Sequence, residues 1–161
     1  MRGRGVSHLK ATSLNIYIDG ASKGNPGEAG AGVRITDGDG NTVFELSRYL
    51  GHKTNNEAEY WALLLGLEEA KRLGGGSIRV FTDSELVERQ VKGLYRVRNS
   101  NLKLLHEAVL RRLNEFSSHA LLAIPREKNR EADRLANQAV ESQSLVKEKG
   151  GSRKGTDGRS S

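Results

Sequence analysis

A mixed five-stranded β-sheet flanked by helices, within the α/β class, is predicted by two features of the 161-residue chain. Three short stretches of alternating apolar and polar residues follow one another before any helical periodicity appears, which marks an antiparallel meander. Helical and extended stretches then take turns, which places the later strands parallel to the first. The expected strand order is 3-2-1-4-5. The first strand is then central, and its carboxyl end is the natural place for a ligand.

Leu14 to Asp19 alternates and is rich in β-branched and aromatic side chains, so it reads as the first strand. Gly20 to Gly30, with Asn25-Pro26-Gly27 in its middle, reads as a turn-rich loop. Ala31 to Thr36 and Thr42 to Ser47 are the next two strands, and Asp37-Gly-Asp-Gly-Asn41 between them is a strong hairpin signal. Asn56 to Leu73 then places Ala58, Trp61, Leu64, Leu65 and Ala70 at helical spacing, with Thr54 or Asn55 as cap and Gly74-Gly75-Gly76 as terminator. Ser77 to Thr82 is a fourth strand, and Asp83-Ser84 can cap a short helix behind it. Asn101 to Phe116 carries an apolar helical stripe, Ala120 to Ile124 reads as the fifth strand, and Asn129 to Ser142 as the last helix.

The chain has no cysteine, which excludes a disulfide framework, a thiolate metal site and a Cys nucleophile. No apolar run approaches the roughly 18 residues of a membrane span, and the basic N-terminus lacks an apolar stretch behind it, so a cytoplasmic protein is expected. Lysine and arginine number 26 against 20 acidic residues, a net charge of +6. That surplus sits at the ends. Residues 1–13 and 145–161 each carry +3, while 14–144 balances 18 basic against 18 acidic residues. The expected organisation is a basic flexible N-terminal segment (1–13), one catalytic domain (14–144) and a basic disordered C-terminal tail (145–161).

Four acids stand where this topology could bring them together. Asp19 and Asp83 end the first and fourth strands, which are expected to be parallel neighbours. Glu59 and Asp133 each lie about a turn into a long helix. A lone Asp after a strand commonly caps a helix, as Asp83 before Ser84 could, and Glu57 and Glu59 could both be solvated. Gathered carboxylates, however, oppose one another's ionisation unless cations neutralise them. An all-oxygen donor set suits a hard divalent ion, Mg²⁺ or Mn²⁺, and a pair of such ions serves in-line phosphoryl displacement.

At these residues the chain resembles type 1 ribonuclease H. The resemblance rests on Tyr17-Ile-Asp-Gly-Ala-Ser-Lys-Gly-Asn-Pro-Gly27, on Thr54-Asn-Asn-Glu-Ala-Glu-Tyr-Trp-Ala-Leu63, on Thr82-Asp-Ser84 and on Pro125-Arg-Glu-Lys-Asn-Arg-Glu-Ala-Asp-Arg-Leu-Ala136. Each segment alone is a weak signal; the four in this order are specific, and they span about Leu14 to Val140. The resemblance implies an endonuclease that hydrolyses the RNA strand of RNA–DNA hybrids by two-metal-ion catalysis, leaving 5′-phosphate and 3′-hydroxyl ends. It implies Asp19, Glu59, Asp83 and Asp133 as the metal-binding and catalytic acids, with Mg²⁺ as cofactor and Mn²⁺ able to substitute. Glu59, five residues after Thr54, takes the helix position, and Glu57 is then expected to be solvated.

The same resemblance places Gly20, Asn25, Asn55 and Asn56 against the hybrid, whose 2′-hydroxyl distinguishes RNA from DNA. Thr54, with His52 or Lys53 and with Asn99, is implied at a phosphate of the DNA strand. Arg89, Lys92, Arg96, Arg98 and Lys103 form an acid-free stretch that could follow a phosphate backbone. Two departures stand out. The basic protrusion common in the family is short here, and no histidine falls at Ala123 or Ile124, where the family's loop histidine is expected; His119 is too early. The alternatives are a non-catalytic nucleic-acid-binding module, against which the presence of all four acids argues, and an exonuclease, resolvase or transposase of the same broad fold. Nothing in the sequence requires more than a monomer.

Overall fold

The computed structural model describes residues 12–157, with side chains as far as residue 143. The segment 1–11 and residues 158–161 lie outside the described residues. Five strands form one sheet in the order β3-β2-β1-β4-β5, as the sequence predicts. They are β1 (Ser13–Gly24), β2 (Gly27–Thr36), β3 (Thr42–Lys53), β4 (Ser77–Thr82) and β5 (Ser118–Ala123). The first three pair antiparallel, whereas β4 pairs parallel to both β1 and β5. Among the described residues four α-helices accompany them, α1 (Asn55–Arg72), α2 (Glu85–Val91), α3 (Ser100–Leu113) and α4 (Arg130–Asp157), with a 3-10 turn at Arg126–Lys128 before the last.

Alternation along β1 sends Ile16 and Ile18 to one face, where they are fully buried with Val33, Ile35 and Val80 beneath Tyr60, Leu63 and Leu67 of α1. Burying each such side chain is worth about 1.5–3 kcal/mol, so this layer is the main anchor of the fold. The helix α4 covers the opposite face over β1 to β3, burying Ala132, Leu135, Ala136, Ala139 and Val140. Asp19 shares its strand parity with Tyr17, opposite the isoleucines, and stands at the rim where β1 leaves the core.

Three expectations are corrected. The stretch Gly20 to Gly30 is a long hairpin rather than a loop, since Gly20 pairs with Ala31 and Gly24 with Gly27 around Asn25-Pro26. The strand β3 likewise runs on to Lys53. The last helix continues to Asp157, past the expected end at Ser142. Among the described residues no helix is long and apolar enough to cross a membrane.

Candidate active site

Close approach of both long helices to the sheet builds the site. At Gly20 an added Cβ would lie 2.3 Å from the Ala58 carbonyl carbon and 2.4 Å from the Glu59 nitrogen. At Gly32, paired with Asp19 across the hairpin, it would lie 2.1 Å from the Ala132 carbonyl oxygen. Glycine therefore lets α1 and α4 press against β1 and β2, which carries Glu59 and Asp133 up to Asp19. Gly20, implied by the resemblance as a substrate contact, is thus required first by the protein's own packing.

Asp19, Glu59 and Asp83 each present a carboxylate oxygen within 4.8 Å of the other two. Asp133 lies close enough to add its charge to the cause of the Asp19 shift, and Asn137 Nδ2 donates to Asp133 Oδ1 at 3.1 Å. Of the four acids singled out in the sequence, Asp19, Glu59 and Asp83 form the cluster, and Asp133 stands beside Asp19. Asp19 is 5% exposed and Glu59 9%. Burial is the largest cause that pushes Asp19 up to about 8, followed by the charge of Asp83 and then by the hydrogen bond and charge of Asp133. Glu59 is raised well above the ordinary carboxylate range, again chiefly by burial and then by the charges of Asp19 and Asp83. Its Oε1 is buried with no hydrogen-bond partner. A buried carboxylate oxygen without a donor, inside a cluster of further carboxylates, is the environment a divalent cation satisfies. The residues present fit such an ion.

The surroundings are built from caps and turns. Thr54 caps α1 by accepting from the Glu57 backbone N–H at 3.1 Å, while the Glu57 carboxylate accepts from the Thr54 N–H at 2.8 Å. Glu57 is therefore half of a capping box rather than merely solvated. Asn25 Oδ1 accepts from the Asn55 backbone N–H at 3.0 Å, which ties the β1–β2 turn to the start of α1 and gathers Asn25, Thr54, Asn55 and Asn56 in one place. Ser84, not Asp83, caps α2, which leaves the Asp83 carboxylate for the cluster. Asn99 spends its Oδ1 on the Asn101 and Leu102 backbone N–H groups at the start of α3. Of the basic stretch, Arg89 and Lys92 pair with Glu85 and Glu88 on their own helix.

A cleft bordered by Asp83, Glu85, Ala123, Ile124, Pro125 and Arg126 opens beside the acids, and Arg126 is the cation in that lining. Sequence reasoning assigned no role to Asn129, whose Nδ2 donates to Asp83 Oδ2 at 3.1 Å. The signal was its place four residues before Asp133, at the entry to α4.

The strand order and the carboxylate cluster define a protein of the reverse transcriptase-like class, and a family model of that description matches residues 17–139. Ribonuclease HI of Halobacterium salinarum is 38% identical over 128 residues, covering 80% of this chain. The chain spans 64% of that relative's length. The crystal structure of RNase H1 from the same archaeon superposes with a TM-score of 0.79 over 81% of this chain and 98% of that one. LC11-RNase H1, solved in complex with an RNA/DNA hybrid, is 41% identical with a TM-score of 0.77, covering 81% of this chain and 98% of its own. The chain belongs to the type 1 ribonuclease H family.

Proposed function

We propose that this chain is an endonuclease that hydrolyses the RNA strand of RNA–DNA hybrids, with a pair of divalent ions held by Asp19, Glu59, Asp83 and Asp133. The observation that carries this reading is the meeting of the Asp19, Glu59 and Asp83 carboxylates from three separate elements, with Asp133 beside Asp19 and the Glu59 Oε1 buried and unpartnered. When bound, Mg²⁺ or Mn²⁺ would activate the attacking water and stabilise the charge that develops on the scissile phosphate. Asp19, on the central strand, would hold the ions together with Glu59, Asp83 and Asp133. Glu59, at the mouth of α1, orients the 2′-hydroxyl of the RNA strand.

Asn25, Asn55 and Asn56 supply short amides that reach sugar hydroxyls and base edges without demanding a sequence. With its Oδ1 committed to Asn55, Asn25 has its NH₂ end to offer a partner. Thr54 stands at the N-terminus of α1, where a phosphate of the DNA strand is favoured by the helix dipole. Asn99 similarly marks the start of α3, and its binding role rests on its remaining NH₂ group. The hydroxyl of the 2′-position makes the hybrid, rather than duplex DNA, the substrate. We further infer a monomer, since every acid of the site comes from one chain, and one that works in the cytoplasm.

The test is cleavage of a labelled hybrid, duplex RNA and duplex DNA in Mg²⁺ and in chelator. The reading expects internal cuts in the RNA strand of the hybrid and none in duplex DNA, lost in chelator and in Asp19→Asn. Near wild-type cleavage by that variant in Mg²⁺ would refute the assigned roles.

A further inference from the structure

The residue Asn129 immediately precedes α4, where an asparagine side chain ordinarily accepts a hydrogen bond from the first turn of the helix. It does not do so here. Its Oδ1 is buried without a partner, and the residue is only 1% exposed. Its Nδ2 instead donates to the Ile18 carbonyl at 2.9 Å and to Asp83 Oδ2 at 3.1 Å. Both of those atoms can only accept, so turning the amide over would set oxygen against oxygen at two contacts; the orientation is forced by its neighbours. Meanwhile the Asn129 backbone carbonyl accepts from the Asp133 N–H at 3.1 Å.

One buried residue thus touches the backbone just before Asp19, the carboxylate of Asp83 and the backbone of Asp133. Local capping is given up in favour of bonds to the other acid-bearing elements. An arrangement of this kind costs stability at the helix entry and gains nothing there. We propose that Asn129 is a positioning residue for the metal site: its amide holds the Asp83 carboxylate in the rotamer that faces Asp19, so that the cation finds both ligands already in place. Outer hydrogen-bond partners of this type set ligand orientation, and their loss typically lowers metal affinity or activity about 10- to 100-fold.

This inference rests on the proposed divalent site, and its test separates the two. Mn²⁺ binding to the full chain without nucleic acid is followed by water-proton relaxation in wild type, Asn129→Ala, Asp83→Ala and the double variant. In parallel, hybrid affinity in chelator and thermal unfolding in chelator are recorded. The expected result is a half-saturating Mn²⁺ concentration raised about 10-fold or more in Asn129→Ala, with hybrid affinity in chelator unchanged. In the Asp83→Ala background the same substitution adds no further loss, because the residue acts through Asp83. Should the alanine variant fail to fold, Asn129→Leu, which fills the amide's volume without a donor, is titrated in its place and is expected to weaken Mn²⁺ in the same way. Wild-type Mn²⁺ affinity in either variant, while Asp83→Ala loses binding, would overturn the positioning role alone. Equal losses in both backgrounds would also overturn it, since Asn129 would then act independently of Asp83. Absence of Mn²⁺ binding by the wild type would overturn both the metal site and this inference.

Discussion

Removing the charge of Asp19 is expected to stabilise the metal-free protein while abolishing its chemistry. Burial and the neighbouring acids hold Asp19 at about 8 against an ordinary 3.8. Between those values the folded chain binds more protons than the unfolded chain, so stability falls as pH rises. The contribution is complete below pH 3.8 and is lost as pH passes through about 8. At about 1.4 kcal/mol for each pH unit, the gap sets a ceiling of about 6 kcal/mol on the cost of ionising Asp19 in the folded state. Asp83 and Asp133 are partly solvated, and an effective dielectric near 20 leaves a realised gain of about 1–3 kcal/mol for Asp19→Asn at pH 8. For a domain of this size that is a rise in melting temperature of about 3–10 °C.

The assay is thermal unfolding of both proteins in chelator across pH 5 to 8.5, repeated with Mg²⁺. Wild type should melt progressively lower as pH rises, whereas the variant should show a shallower slope and the higher melting temperature at pH 8. Mg²⁺ should raise the wild type and leave the variant nearly unmoved, because only a ligand that binds the folded state stabilises it. A variant that melts at or below wild type at pH 8 in chelator would refute the reasoning, for the clustered charge would then not be the dominant local strain.

The packing argument predicts that Gly20→Ala costs about 1–3 kcal/mol in urea unfolding, since its Cβ must displace backbone at Ala58. The same variant should lose about 100-fold in hybrid cleavage as Glu59 is pushed from Asp19. Thr54→Ala should lower stability by about 1 kcal/mol through the broken capping box, measured as a shift of the urea midpoint. Arg96→Ala with Arg98→Ala should reduce the slope of log affinity against log salt by about 1–2, read by fluorescence anisotropy on a hybrid. An unchanged slope would remove the basic stretch from the interface.

The sheet order was legible because each signal is local and unambiguous: β4 runs from Ser77 to Thr82, the span that its alternation and flanking glycines mark. The cluster of Asp19, Glu59 and Asp83 was legible because topology superposes the ends of two parallel strands and the first turn of the helix packed on them. The Gly20 to Gly30 segment misled, since glycines that normally signal a turn serve here to admit helices close to extended strands. Neither periodicity nor propensity distinguishes those two uses of glycine. Glu57 was read as solvated although Thr54-x-x-Glu57 is the spacing of a capping box; the residue was weighed only against Glu59 for the acid position. Asn129 escaped notice for a different reason: an asparagine before a helix looks like a cap, and only the tertiary structure reveals that its amide is turned toward Asp83 and Ile18.

The most direct measurement is anomalous diffraction from crystals of Glu59→Gln grown with an RNA–DNA hybrid and Mn²⁺. Two manganese peaks about 4 Å apart, both within coordination distance of Asp19 and flanked by Asp83 and Asp133, are the predicted result. Manganese bound elsewhere, or a hybrid seated away from these carboxylates, would contradict the account.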